Sequence, residues 1–392
     1  MKKIITILFT CVALLTACID YDSATHGTSF NVQLVMADTS LKVSLAGRTV
    51  SIKSHEGRVI RLITDSTGRA HTDDLIPDLY TISTSWNENK GLIVSGTLPQ
   101  QAITSSTELT LTLRASIISP LLISKIYMAG AKDRNNTYYL NGTYMEIYNQ
   151  SDSTIDVAGL YIGLLESNST IAYTLENLHE QHADSVVLLK QVFRIPTAKP
   201  YPVAPGGTVL LCNSAIDHSQ YTDMEHSLLD ADFEAKDLQM KVTNNPDVPA
   251  LEAVYLQTTA SLSNLNLTRG GPAGIVIFNT EEDVTAMPLT YKYPNTATTG
   301  AQWILLPKRL IIDGVDVLHR KNTGIDIQTK RLYTEIDAGY AVLSTLSGLD
   351  GEVIYRKTSE QQGANGQKRL VDTNNSTEDF QLSKTIKPRE YD

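Results

Sequence analysis

The sequence predicts an all-β chain: two tandem β-sandwich domains behind a short apolar leader. Three observations predict it. From Phe30 onward apolar and polar residues alternate with period two, as half-buried strands require. The alternating runs are short and are separated by turn clusters. A proline-bounded break at Ile117-Ile118-Ser119-Pro120 then divides the alternating chain, because proline disfavours continuing a strand ladder.

The leader comes first. Met1-Lys2-Lys3 is a cationic start, Ile4 to Leu15 is mostly apolar, and Leu15-Thr16-Ala17-Cys18 closes the stretch with small residues. An apolar run this short falls below the ~20 residues that span a bilayer core. It reads as a removable signal over residues 1–17. The Leu-x-Ala-Cys ending resembles a lipobox, which implies acylation of Cys18 and a mature chain that starts there. Two or more acyl chains hold a protein stably, each buried methylene contributing about 0.8 kcal/mol. Residues 18–28 are polar and unpatterned and read as a tether. Asp20 and Asp22 resemble the acidic tether of surface-exported lipoproteins in Bacteroides-like bacteria.

Residues 29–116 form the first sandwich in this reading. Val50 and Ile52 alternate with polar neighbours, Tyr80, Ile82 and Trp86 share a face, and Leu109, Leu111 and Leu113 alternate with threonines. Asp65-Ser66-Thr67-Gly68 is a turn, with Gly supplying positive φ and Asp bonding its own backbone. The stretch Thr64-Asp65-Ser66-Thr67-Gly68-Arg69-Ala70 through Leu75-Ile76-Pro77-Asp78-Leu79-Tyr80-Thr81-Ile82 resembles the signature of carboxypeptidase-regulatory-like, transthyretin-like domains. Asp78-Leu79 replaces the usual glycine before the tyrosine. The resemblance implies a spacer or binding module rather than a catalyst. Lys53 invites comparison with isopeptide-forming adhesin domains, but reads as a solvated strand lysine.

Residues 120–388 form the second sandwich. Its blocks are Leu121–Tyr127, Tyr144–Asn149, Val157–Gly163 and Val203–Leu211, followed by Leu265–Phe278 around Gly270-Gly271, Ile311–Asp316 and Asp372–Phe380. Their order resembles the lamin-tail domain, an immunoglobulin-like sandwich. Lys125 stands where that pattern has an acid, and Tyr161 where it has tryptophan. Taken together, residues 28–388 resemble Bacteroides-type lipoproteins of unknown function that join these two modules. A long insertion, residues 213–249, carries eight acidic residues against Lys236 and Lys241. Long excursions of this kind are often functional, so His218, Asp223, His226 and Asp230 are candidate ligand- or partner-binding residues. Tyr138 and Tyr139 join them, because an Asn/Thr-rich loop makes burial of both rings awkward. Tyrosine, at 18 against 6 Phe and 2 Trp, suits wet binding surfaces or sandwich edges.

Removal of residues 1–17 leaves 31 basic and 43 acidic side chains, a net charge of −12. That argues against a nucleic-acid partner over most of the surface. Residues 301–392 are neutral overall, with 13 of each sign, and their Lys308-Arg309 and Lys330-Arg331 pairs read as solvated loop charges. Cys11 leaves with the signal and Cys18 is lipidated, so Cys212 is the remaining thiol, expected as a small buried hydrophobe. The fold must rest on its core rather than on an intrachain disulfide.

Catalytic and metal motifs do not emerge. His179-Glu180-Gln181-His182 spaces its histidines by three, whereas a zincin needs four so that both share a helical face. The run Asp372–Asp379 puts Thr377 and Ser383 where a calcium loop needs Gly and Glu, and reads as Asx-turn chemistry. A calcium site of another kind in the acidic insertion stays open. No Gly-x-Ser-x-Gly elbow or phosphate loop is present. The sequence therefore assigns no catalytic residue, no metal and no cofactor. Three functions follow: a non-catalytic lipid-anchored envelope protein, at the outer membrane and surface-exposed, that binds a ligand or docks a partner such as an outer-membrane nutrient or metal uptake receptor; a hydrolase with a loop-built, metal-assisted site; or a structural envelope spacer.

Overall fold

The computed structural model describes residues 27–88, 92–166, 174–182, 185–236, 242–257, 263–291 and 299–392. The leader, Cys18 and most of the tether lie outside the described residues. The chain is all-β, with several sheets. No described helix is long and apolar enough to cross a membrane.

The first seven strands are β1 (Thr28–Met36), β2 (Thr49–Ser54), β3 (Val59–Ile63), β4 (Arg69–Leu75), β5 (Asp78–Glu88), β6 (Leu92–Ile103) and β7 (Thr107–Ile117). They pair in the order β3-β2-β5-β6-β7-β1-β4. The long β7 belongs to both halves: it runs parallel to β1 through residues 107–113 and antiparallel to β6 through 114–117. Phe30, Val32, Val50, Ile52, Tyr80, Ile82, Leu111 and Leu113 fill the space between the halves. The turn at Asp65 forms as its residues dictate. Asp65 Oδ1 accepts from Thr67 N at 2.8 Å and Arg69 N at 3.0 Å, and Gly68 takes φ +80°.

β7 ends at Ile117 and β8 (Leu121–Tyr127) begins a second pair of facing sheets. One contains β8 between the strands Tyr144–Asn149 and Val353–Arg356, with Thr208–Cys212 and Phe380–Ser383 further out. The other contains Tyr161–Leu165, Val186–Arg194, Ala273–Phe278, Gln302–Pro307 and Ile311–Val317. Ile123, Ile126, Met145 and Ile147 from the first sheet meet Ile162, Phe193, Ile275, Ile277 and Val315 from the second. Every residue of β8 and of Tyr144–Asn149 is buried, polar ones included. Lys125 is buried against Glu146 at 3.3 Å and donates to the Lys387 and Glu390 carbonyls, so the C-terminal segment closes over that face.

Two expectations change. Lys330 and Arg331 are not solvated: Lys330 Nζ lies 3.2 Å from Asp316 and the buried Arg331 lies 3.6 Å from Glu166, because carboxylates distant in sequence meet them inside. Of the anticipated strand pair around Gly270-Gly271, Ala273–Phe278 alone forms a strand. Leu265, on the other side, is instead tied to Asn213, which both accepts from its N–H and donates to its carbonyl.

Candidate ligand cleft

Over its described residues the insertion folds back as a short parallel strand, Phe233–Glu234, beside Thr208–Cys212. His218 is buried, with Nδ1 2.6 Å from the Tyr139 hydroxyl and Nε2 2.7 Å from the Ser214 carbonyl. Burial lowers its pKa. Tyr139 is buried and stacks on Tyr221 with ring centroids 4.8 Å apart, whereas Tyr138 is 62% exposed beneath the Arg269 guanidinium. Asp223 and Asp230 are exposed and pair with Arg134 and Arg389. His226 is half-buried, which lowers its pKa, and its ring approaches Tyr127 at 6.4 Å. The six candidates therefore divide: His218 and Tyr139 are packed together, His226 is half-buried beside Tyr127, and Tyr138, Asp223 and Asp230 remain at the surface. Cys212 is buried, as a small hydrophobe would be. Among the described residues no three His, Cys, Asp or Glu side chains group as a metal ligand set. The His179 side chain lies outside the described residues.

A larger site lies where the first seven strands meet the second pair of sheets, a cleft of about 610 Å³. The register of β2 on β5 sets Lys53 opposite Thr81 on one face of the first part. A bulge between β5 and β6 adds Gln100 to that face, with Tyr80 paired to Gln101 but Ile82 to Leu98. Gln100 takes φ +51°, a left-handed conformation rare for a side chain with a Cβ. Its Oε1 accepts from Ile325 N at 3.4 Å in the second part. Bulges of this kind re-aim side chains beside functional sites.

The second part supplies the opposite wall from the hairpin at Arg320–Ile325 and from Tyr340 and Val342. It supplies the floor from Lys357, Ser376, Thr377, Phe380 and Leu382. Thr81 Oγ1 and the Tyr340 hydroxyl lie 2.9 Å apart, Ser83 donates to Glu378, and Asn375 Nδ2 donates to Thr97 Oγ1 at 3.1 Å. The polar face of β5 and β6 is thus covered rather than solvated: Thr81, Ser83 and Ser95 are all buried.

The floor is held from below by charge. Buried Arg356 bonds Asp313 through Nη2 at 3.1 Å and Asp379 through Nη1 at 3.1 Å, with Asp372 at 3.4 Å. Its Nε donates to the Ile123 carbonyl at 2.9 Å, and its guanidinium lies 4.7 Å from the Phe380 ring centroid. Burial of three carboxylates around one guanidinium raises the acids, Asp313 to about 6 and Asp379 to about 7. Asp379 also accepts from Thr373 N and Asn375 N, and Asp337 Oδ1 accepts from Ser376 N at 2.8 Å. The acidic run at 372–379, read as Asx-turn chemistry, is also a buried clamp that fixes the segment bearing Ser376 and Thr377, with Asp372 accepting from the Asn374 N–H.

Three cations reach this cleft. Lys53 Nζ meets no hydrogen-bond or ion-pair partner among the described residues and its side chain stays accessible. The surrounding walls lower its ammonium pKa, Glu378 raises it, and Lys357 and Arg320 lower it further. Arg320 Nε donates to the Leu343 carbonyl at 3.0 Å, and Lys357 donates to the Glu378 carbonyl. Thr377 Oγ1 is committed to both backbone groups of Tyr340, accepting from its N–H and donating to its carbonyl, each at 3.1 Å. Such a site can hold charge and hydrogen-bonding groups in place. Nothing in the sequence joins residues 53, 100, 320 and 357; only tertiary pairing brings them together.

These features define an all-β protein with a polar, cation-lined cleft between two sets of sheets. The model of a family described as Protein of unknown function (DUF4876) matches residues 204–386, somewhat under half of the 392-residue chain. The chain is similar in fold to a crystal structure of a DUF4876 family protein from Bacteroides thetaiotaomicron, with a TM-score of 0.56 and 19% identity, over 90% of this chain and 94% of that one. A candidate carbohydrate binding protein from Bacteroides uniformis aligns over 36% of this chain and 60% of its own at 11% identity, but its TM-score of 0.18 supports no argument. No curated protein matches the sequence.

Proposed function

We propose that this chain is a lipid-anchored, surface-exposed protein of the outer membrane that binds a ligand in the cleft without transforming it. One observation carries the reading: two separately cored sets of strands close on a shared cleft whose polar walls are built from both. Of the hydroxyls that line it, those of Thr81 and Thr377 are committed to Tyr340. The lipobox at Cys18 supports the anchor, and an outer-membrane uptake receptor is the partner that such a tethered binder would serve.

Cross-linking on native cells, followed by capture of the chain, tests this. The expected result is a stoichiometric outer-membrane receptor beside the wild-type chain, and loss of both neighbour and membrane fraction in Cys18→Ala. A Cys18→Ala chain that stays in the membrane fraction overturns the anchor. Full protection of the wild-type chain from protease added to intact cells overturns surface display.

A further inference from the structure

The whole chain carries a net charge of −10, yet Lys53, Arg320 and Lys357 converge on one cleft. Like charges brought this close repel unless something opposes them. Two carboxylates are near. Glu56 lines the cleft with an exposed side chain, and Glu378, beside Thr377, already accepts from Ser83. Neither makes a hydrogen bond or ion pair with Lys53 among the described residues; Glu378 acts on its ammonium favourably from a distance, while Lys357 and Arg320 act against it. The cleft also holds Gln100 in a left-handed backbone conformation beside Thr81, so amide and hydroxyl groups flank the cations. Ile325, Val342 and Leu382 give the opposite side an apolar surface. Its volume lies within the range of small-molecule sites.

Resting on the reading of this cleft as a ligand site, we infer that its ligand is a hydroxylated organic anion, a sugar acid or sugar phosphate. Its charged group sits among Lys53, Arg320 and Lys357, and its hydroxylated body lies along the polar wall around Gln100. Cations around an anionic group make charge-assisted hydrogen bonds, about twice as strong as neutral ones. The same cations leave a neutral sugar with the walls alone.

Calorimetric titration of the full chain in detergent tests this with glucuronate, glucose 6-phosphate and glucose as probes. Three proteins are compared: wild type, Lys53→Gln, and Val342→Trp, which fills the cleft from a half-buried position. The expected result is binding of at least one charged probe, tenfold or more above glucose, weakening as salt is raised. Lys53→Gln is expected to cut that affinity about tenfold and Val342→Trp to abolish it. The preference between glucuronate and glucose 6-phosphate assigns carboxylate or phosphate as the charged group. Glucose binding as tightly as the charged probes, and lost in Val342→Trp, overturns the anion while the cleft stands. Binding that survives Val342→Trp, or no binding of any probe at millimolar concentration, overturns both.

Discussion

The hydroxyls of Thr81 and Tyr340 lie 2.9 Å apart across 259 residues of sequence, and both side chains are buried. Thr81 belongs to β5 and Tyr340 to the second part, so this bond joins the two sets of sheets at the wall of the cleft. Removing the phenol oxygen with Tyr340→Phe is expected to cost about 1 kcal/mol, the net worth of a typical hydrogen bond. Urea unfolding of Tyr340→Phe, Thr81→Val and the double variant checks it. A coupling near zero in that cycle would show that the pair does not join the two parts energetically.

Arg356 stands in a different relation to its neighbours, because it is the single guanidinium among Asp313, Asp372 and Asp379. Arg356→Met keeps volume but leaves buried carboxylates without their cation. Breaking a buried pair in this way costs about 3–5 kcal/mol. The penalty should shrink at low pH. Burial pushes Asp313 up to about 6 and Asp379 to about 7 even with Arg356 lowering them, and removing that cation pushes both higher. Denaturant midpoints of wild type and variant at pH 5 and pH 8 check this. The gap should be smaller at pH 5, and a gap that grows there would show that the acids are ionised across the range.

Much of the strand content was legible because one physical rule writes it. Where one face meets a core and the other meets water, period two results, as at Leu111 and Leu113 between exposed Thr110, Thr112 and Arg114. The rule misleads on β5. Thr81 and Ser83 look solvent-facing, yet they are buried beneath the second part, since a polar face docked on polar partners has the same pattern as a solvated one. A charged pair misled for a related reason: Lys330-Arg331 meets carboxylates distant in sequence, and sequence shows a charge but not its partner. The cleft was illegible for the same cause. Lys53 read as an ordinary strand lysine, and its neighbours Arg320 and Lys357 lie some 270 and 300 residues on. The insertion was visible as an irregular, acidic stretch, but its burial of His218 depends on Tyr139, outside it.

Glu225, within that insertion, couples stability to pH. Its carboxylate is buried, accepts from the Tyr127 hydroxyl at 2.7 Å, and is raised by burial to about 7, with the Tyr127 bond lowering it. An unfolded chain would ionise the same group near its ordinary value, so the folded state holds the proton between those two values. Its contribution to stability is therefore complete at low pH and is lost as pH rises through about 7. Glu225→Gln keeps an acceptor for Tyr127 and abolishes the titration. His218 and His226 act oppositely, since burial lowers both and their contribution is lost as pH falls, so the informative quantity is the difference between the two proteins. Relative to wild type, Glu225→Gln should gain on the order of 2 kcal/mol between pH 5 and pH 8. Thermal or urea unfolding across that range measures it. Parallel curves for the two proteins would mean that Glu225 ionises in the folded chain as it does in the unfolded one.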